Sequence, residues 1–279
     1  MKVVEAITLF KNHQRSSLKQ RTQQSYNYLL HQFETLLGDR LLESVAPEEI
    51  SRFLESLTGQ SSKSTRRLRY AQIKAFYNLI IEICSLTIKN PCGAPILSKA
   101  FRMPKREARK ILDKESVDEM IYNTRCLRDR LILELQARCG LRIGEVLGLR
   151  VKDVSDRKLI LQEPKSGRNE EVAFMPEQVA KRLLEYINQE SLSLEDRVFP
   201  ICYSTARSLV KRCGKKLTVN LSPHDLRRHS ATYASRNGVP LEIISKVILR
   251  HQDLKTTQMY LGKVSDTEAI RWMDTLHER

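Results

Sequence analysis

The sequence predicts a mainly α-helical chain with one small β-sheet: a helical N-terminal domain, a basic linker and a C-terminal α+β domain. Three observations carry this. Apolar residues recur at helical spacing through residues 1–88. A stretch containing Pro and Gly, then turning basic, breaks that pattern between 89 and 110. Two short apolar-rich runs flank a turn-like segment at 158–174, with helix-start signals on either side.

In the N-terminal domain, Tyr26, Leu29, Leu30, Phe33, Leu36 and Leu37 follow a helical period, as do Ile50, Phe53, Leu54 and Leu57. Pro47-Glu48-Glu49 has the form of a helix start, with proline where no N–H is needed and acids facing the positive end of the dipole. A longer helix is expected over Thr65–Ile83, with Leu68, Ala71, Ile73, Phe76, Leu79 and Ile80 for the core. Its opening, Lys63-Ser64-Thr65-Arg66-Arg67-Leu68-Arg69-Tyr70, places cations against the positive end of the helix dipole. A nearby anion would relieve that, and phosphate is the natural one. Lys63, Arg66, Arg67, Arg69 and Lys74 are therefore expected to contact DNA; the alternative is a solvated cationic face.

Asn90-Pro91-Cys92-Gly93-Ala94-Pro95 and the basic run Met103 to Lys110 read as a linker over 89–110, with Lys105 and Arg106 beside the DNA backbone. Asp113-Lys114-Glu115-Ser116-Val117 opens the second domain, assigned to 111–279. Lys158–Gln162 and Glu171–Phe174, separated by Pro164-Lys165-Ser166-Gly167-Arg168-Asn169, form a β-hairpin with lysine at its tip. Ser222 caps a helix whose first residue is Pro223, which puts His224 and Arg227 on one face. After Gly262-Lys263-Val264, the run Ser265-Asp266-Thr267-Glu268 starts a short C-terminal helix (265–279), carrying Ala269, Ile270, Met273 and Leu276.

Composition narrows the partner. The 279 residues carry a formal charge of +15, which favours an acidic polymer, DNA first. The surplus is spread: residues 1–105 hold 16 Lys and Arg against 8 Asp and Glu, the remainder 32 against 25. Both domains are thus fit to touch phosphate. Six cysteines show neither a Cys-x-x-Cys pair nor zinc-like spacing to histidine, and read as buried small hydrophobes in a reducing compartment. No metal and no cofactor is called for. The N-terminus lacks a signal-peptide core, and no apolar run approaches the roughly 20 residues that span a bilayer. A cytoplasmic, nucleoid-associated protein is expected.

The chemistry lies in Gly140-Leu141-Arg142-Ile143-Gly144-Glu145, His224-Asp225-Leu226-Arg227, His251 and Tyr260. A phenol with a pKa of about 10 is roughly one part in a thousand ionised at neutral pH, so using it as a nucleophile costs about 4 kcal/mol. Donors preorganised around the charge growing on a phosphate are worth about 2.7 to 4 kcal/mol each. Arginine suits that task, because its planar fork stays charged and grips two oxygens. Glu145, one turn from Arg142, can orient its guanidinium from behind. Lys165 on the hairpin could protonate a leaving oxygen, with Arg168 and Lys158 as competitors. Singly, each piece has an ordinary explanation: a surface ion pair, a half-buried tyrosine, a structural histidine. Their joint occurrence does not.

Gly-Leu-Arg-Ile-Gly-Glu-Val-Leu-Gly-Leu at 140–149, the lysine at 165, Pro-His-Asp-Leu-Arg-Arg-His-Ser-Ala-Thr at 223–232 and His251 to Tyr260 resemble, in order and spacing, the tyrosine recombinase (phage integrase) family. The match spans about Leu112 to Gly262. The resemblance implies an enzyme that joins a tyrosine to a DNA 3′ phosphate, frees a 5′ hydroxyl and exchanges strands through a Holliday junction, with no metal or nucleotide cofactor. It makes Tyr260 the nucleophile, Arg142 and Arg227 the phosphate clamp with His251 a further donor, His224 the acid/base partner and Lys165 the general acid. Arg228 joins the expected DNA contacts. It also implies a helical core-binding domain (1–88) that closes with the catalytic domain around double-stranded recombination sites as a C-shaped clamp. Dimers per site and a tetramer in the synapse follow, with accessory proteins an open question. Because the bundle begins almost at Met1, a Xer-like, two-domain enzyme without an arm-binding domain is expected. A type IB topoisomerase and a non-catalytic DNA-binding protein on the same fold are the rival readings. One departure stands out: the family commonly has glycine before the second histidine, and here Arg250 precedes His251.

Overall fold

The computed structural model describes residues 1–14, 18–102, 112–162, 170–261 and 270. The chain divides into two compact units, Met1–Glu107 and Ala108–Arg279.

The first unit is built on four helices, α1 (Val3–Gln14), α2 (Gln20–Leu37), α3 (Pro47–Thr58) and α4 (Lys63–Ile83). Each contributes one apolar stripe to a shared core: Ile7 and Phe10, Leu30 and Phe33, Phe53 and Leu54, Ile73, Phe76 and Ile80. Pro47 opens α3, and Glu49 accepts the Ala46 N–H at 3.0 Å, so the acidic first turn caps its own helix. The longest helix starts at Lys63, two residues before the sequence places it, because the Ser62 hydroxyl accepts the Thr65 N–H (3.2 Å).

Residues 89–102, assigned to the linker by their Pro and Gly content, are part of this first unit. A 3₁₀ turn at Pro91–Gly93 and the short α5 (Pro95–Ala100) bury Cys92, Leu97 and Phe101 in the core. The Tyr70 hydroxyl donates to the Cys92 carbonyl (2.6 Å), and the Tyr70 and Phe101 rings stack at 5.5 Å. Three apolar side chains without a helical period gave no sign of this in the sequence.

The second unit runs α6 (Lys114–Tyr122), α7 (Leu127–Ala137), α8 (Ile143–Gly148), β1 (Val154–Ser155), β2 (Lys158–Gln162), β3 (Glu170–Phe174), α9 (Glu177–Gln189), α10 (Tyr203–Lys216), α11 (Pro223–Arg236), α12 (Leu241–Ile243) and α13 (Leu254–Leu261). The sheet is antiparallel in the order β1-β2-β3, with Ile160 opposite Val172. Leu159, Leu161 and Ala173 point into the core while Val172 and Phe174 face out, the alternation of a half-buried hairpin. Buried α7 is the hub, packed against α6, α8, α9, α10 and α11. Its Glu134, fully buried, accepts from the Arg182 guanidinium at 2.7 and 3.0 Å. Its Gln136 donates to the Pro223 carbonyl (3.1 Å), which fixes the start of α11.

Of the six cysteines only Cys92, Cys139 and Cys213 are buried; Cys126 and Cys202 are exposed and Cys84 is partly so, which corrects the expectation of six core thiols. Burial pushes the Cys92 and Cys139 thiols up to about 12. Cys202, by contrast, falls to about 6 because the Ser204 and Thr205 hydroxyls stabilise its thiolate. Among the described residues no helix is long and apolar enough to cross a membrane.

Candidate active site

A cleft of about 850 Å³ in the second unit brings together Arg142, His224, Arg227 and His251, four side chains from three separate stretches of sequence. Each is placed by a distinct local device. Gly140 turns the chain at φ +65°, where a Cβ would lie 2.8 Å from Ile248 Cγ2 and 2.9 Å from its carbonyl oxygen, so only glycine fits. That turn aims the Gly140 carbonyl at Arg227 and sets Arg142 at the N-cap of α8. Glu145, on the first turn of α8, accepts the Arg142 backbone N–H (2.8 Å) and its guanidinium (2.5 Å).

Arg227 is 1% exposed and anchored from behind. Its two terminal nitrogens donate to the Gly140 and Leu249 carbonyls, and Glu145 lies 3.8 Å away. A long side chain held at both nitrogens has lost its rotamer freedom before any ligand arrives, which is the condition for a preorganised donor. Ser222 precedes α11 as expected but does not cap it through its own oxygen. Its N–H and hydroxyl both donate to Asp225 (2.9 and 2.6 Å), so Asp225 is the capping group. His224, on the same first turn, is exposed at the cleft.

His251 follows a π-helical turn, Ile244–Ile248, that continues α12. The extra residue in that turn drops Leu249 and Arg250 into the interior and brings the His251 N–H to the Ser245 carbonyl (2.8 Å). Nδ1 of His251 meets the Thr257 hydroxyl at 2.9 Å, which in turn donates to Ser245 (2.8 Å). Burial, then the charges of Arg227 and Arg142, lower the imidazole to about 4, so it is neutral in the DNA-free protein at pH 7. For Glu145, burial pushes the carboxyl up, but Arg250, Arg142 and Arg227 outweigh it and hold the group ionised below its ordinary range.

Tyr260 lies on the last turn of α13, a helix packed against α11; its side chain is outside the described residues. Lys165, Lys105, Arg106 and the 265–279 helix, Ile270 excepted, are likewise outside them.

The expected DNA contacts divide. Lys63 is exposed, and Lys74 partly so. Arg69 instead ties α4 to α2, donating to the Ser25 carbonyl (2.8 Å) and lying 5.0 Å over the Tyr28 ring. Arg66 lies over Phe101 (5.5 Å), and Arg67 lies over Tyr70 (5.1 Å) and donates to the Phe101 carbonyl (3.4 Å), so both brace the 91–102 segment. Arg228, 12% exposed, pairs with Asp225 at 3.0 Å. The sequence reading missed Tyr203 and Arg207, exposed residues of α10 that line the cleft, and Thr256, which lines it too. The apolar period of Ala206, Leu209, Val210 and Cys213 marks α10 as amphipathic, but nothing in it singles out 203 or 207. Among the described residues no cluster of His, Cys, Asp and Glu could hold a metal.

The sequence model of the phage integrase family matches residues 102–265, more than half the chain and all four of these side chains. The chain belongs to the phage integrase family. It is similar to tyrosine recombinase XerA of Saccharolobus solfataricus, 28% identical over 80% of this chain and 76% of the relative. Among solved structures, the Tn1549 transposon integrase in complex with a circular intermediate DNA covers 99% of both chains at TM-score 0.79 and 18% identity. A lambda integrase tetramer bound to a Holliday junction covers 95% of this chain and 80% of its own at TM-score 0.74 and 15% identity. These likenesses show the mainly helical fold with its small sheet. As a member of the phage integrase family, the protein is a site-specific DNA recombinase of the tyrosine type.

Proposed function

We propose that Tyr260 attacks a DNA phosphodiester while Arg142 and Arg227 grip its non-bridging oxygens. The phenol oxygen bonds to phosphorus, the bond to the 5′ oxygen breaks, and a 3′-phosphotyrosine remains. The departing oxygen takes a proton from Lys165, and His224 handles the proton of the phenol. The reverse step, with a 5′ hydroxyl from a partner duplex, reseals the strand and builds a Holliday junction.

What supports this reading is the co-location of two immobilised guanidiniums and two imidazoles in one cleft, with α13 packed beside it. The charge development decides the roles. A phosphodiester gains negative charge as the phenol adds, and fixed arginines stabilise the added charge without having to reorganise. His251 enters neutral. Burial first, then the two arginines, keep its proton affinity low; a phosphate anion beside it offsets the arginine charges and so raises that affinity when DNA is bound.

The partners proposed are double-stranded recombination sites, two protomers per site and four in the synapse, as in the lambda integrase tetramer on its junction. The helix expected over 265–279 is proposed to dock on a neighbouring protomer. The deciding experiment traps the covalent complex on a nicked duplex made from sequence flanking the gene, and maps the joined peptide. Tyr260→Phe should bind that duplex as wild type does and form no adduct; an adduct formed by this variant would overturn the assignment.

A further inference from the structure

Arg250 occupies a place that its backbone does not favour. Its φ is +50°, in the left-handed region where glycine is at ease and a side chain is not. An arginine held there, 3% exposed, should have interactions that only its guanidinium provides. It has four. Nη1 donates to the Ile248 carbonyl at 2.9 Å, Nη2 donates to Glu145 Oε2 at 2.7 Å and to the Gly140 carbonyl at 3.5 Å, and Nε lies 3.5 Å from Glu171 Oε2.

Both carboxylates matter to the site in different ways. Glu145 is the group that holds the Arg142 guanidinium, through its other oxygen. Glu171 sits on β3, the strand that leaves the hairpin loop containing Lys165; its side chain is 4% exposed. Neither Glu171 oxygen has a hydrogen-bond partner among the described residues, and the Arg250 guanidinium is the cation beside it. A buried carboxylate this poorly satisfied is costly unless a fixed cation lies beside it.

We infer that Arg250 is a positioning residue for catalysis: its guanidinium, bridging Glu145 and Glu171, fixes the carboxylate that aims Arg142 and ties that clamp to the base of the hairpin. The bridge joins three pieces of the unit, α8, β3 and the turn after the π-helical residues. A shift of β3 is thereby transmitted to Glu145 through two ionic contacts instead of through bulk packing. It follows that this chain does not tolerate glycine at 250, although glycine suits the backbone better. The inference rests on the assignment of Arg142 as a phosphate ligand.

The test compares Arg250→Gly, Glu171→Val and the Arg250→Gly/Glu171→Val double variant in the full chain. Single-turnover adduct formation is measured on the nicked duplex at saturating DNA, with binding affinity and melting temperature measured separately. Arg250→Gly should cut adduct formation at least tenfold while DNA affinity stays within about threefold. The double variant, which leaves no orphaned charge on β3, should regain the melting temperature but not the rate. Should Arg250→Gly itself fail to fold, the double variant carries the test. Wild-type cleavage by either Arg250 variant would overturn the inference, since Arg250 would then merely neutralise Glu171 or fill space. So would a penalty that is undiminished in a Glu145→Gln background, because a residue acting through Glu145 loses its effect once that carboxylate is gone. Tyr260→Phe in the same assay separates the two levels: an adduct from that variant defeats the reaction assignment whatever Arg250 does.

Discussion

Replacing Glu145 by glutamine keeps the shape of the side chain and removes one charge from the centre of the clamp. The carboxylate is 9% exposed and faces three guanidiniums, Arg142 at 2.5 Å, Arg250 at 2.7 Å and Arg227 at 3.8 Å. Removing one partner from a buried ionic cluster costs about 3 to 5 kcal/mol. An amide oxygen can still accept the Arg142 N–H, so the lower end, about 3 kcal/mol, is expected. For a unit of this size each kcal/mol moves the midpoint by roughly 2 to 4 °C, which gives a loss of about 6 to 12 °C. The pH dependence carries a sign. The folded-state pKa of Glu145 is lowered, so its stabilisation is complete above the ordinary carboxyl value and is lost as pH falls through the folded value. The gap between wild type and Glu145→Gln should therefore be widest near neutrality and close in acid. In the cleavage assay Arg142 is present but no longer aimed, and forfeiting most of one donor corresponds to a drop of about 100-fold. DNA affinity should hold or rise, because a negative charge has been removed beside a polyanion. Melting curves from pH 3 to 8 and single-turnover adduct formation check both parts. A variant that melts and cleaves like wild type would refute the electrostatic account of the site.

Arg142→Ala and Arg227→Ala should each slow adduct formation by about 3 kcal/mol, near 150-fold; Arg227→Ala should also lower the melting midpoint, since it strips the donor from the Gly140 and Leu249 carbonyls. The His251 imidazole should titrate near 4 by NMR in the free protein and move upward in Arg142→Ala or on binding the nicked duplex, because its low value comes from burial and neighbouring arginines. Its folded value lies below the unfolded one, so that histidine makes stability rise with pH between about 4 and 6.5. Gly140→Ala should destabilise by about 1 to 3 kcal/mol in thermal unfolding, as its Cβ meets Ile248 and its φ is positive.

How much of this was legible in the sequence depends on the kind of signal. The helices of the first unit declared themselves because one-sided burial imposes a period, and α2, α3 and α4 lie where that period runs. The hairpin was legible from two short runs and a turn composition; β1, two residues long, has no pattern to read. Segment 91–102 was misread because Pro and Gly mark a break in regular structure, not an absence of packing, and Phe101 is seen to be core only when Tyr70 stacks on it. The cationic residues at 66, 67 and 69 share one charge and differ only in what lies beside them in space. In the site, chemistry singled out Arg142, Glu145, His224, Arg227 and His251 as candidates, since few side chains can hold a phosphate, and the structure gathers them at or beside one cleft. Arg250 was visible as a departure. Its partner Glu171 was not, because no local pattern links a turn after α12 to a strand in the middle of the unit.

The charges explain why such a site is stable before DNA arrives. Arg142, Arg227 and Arg250 face Glu145 and Glu171, so the buried cluster carries a formal surplus of one positive charge, with His251 neutral beside it. Three guanidiniums alone would repel one another at these separations, and the second unit would lose stability to hold them. Two carboxylates alone would leave nothing for a phosphate. With one net positive charge the cluster attracts an anion, and on the proposed reading a phosphodiester supplies it. In the proposed reaction a further negative charge forms as the phenol adds to phosphorus, and it opposes the arginine charges that, after burial, keep His251 neutral in the empty cleft. On the proposed reading the guanidiniums bind the phosphate, and its charge raises the proton affinity of the imidazole. Phosphate analogues that bind the cleft should then raise the His251 pKa in wild type, and should do so less in Arg227→Ala, where the ligand is held more weakly. An imidazole that stays near its free-protein value with the cleft filled would remove His251 from the reaction and leave it a structural residue on the Thr257–Ser245 chain.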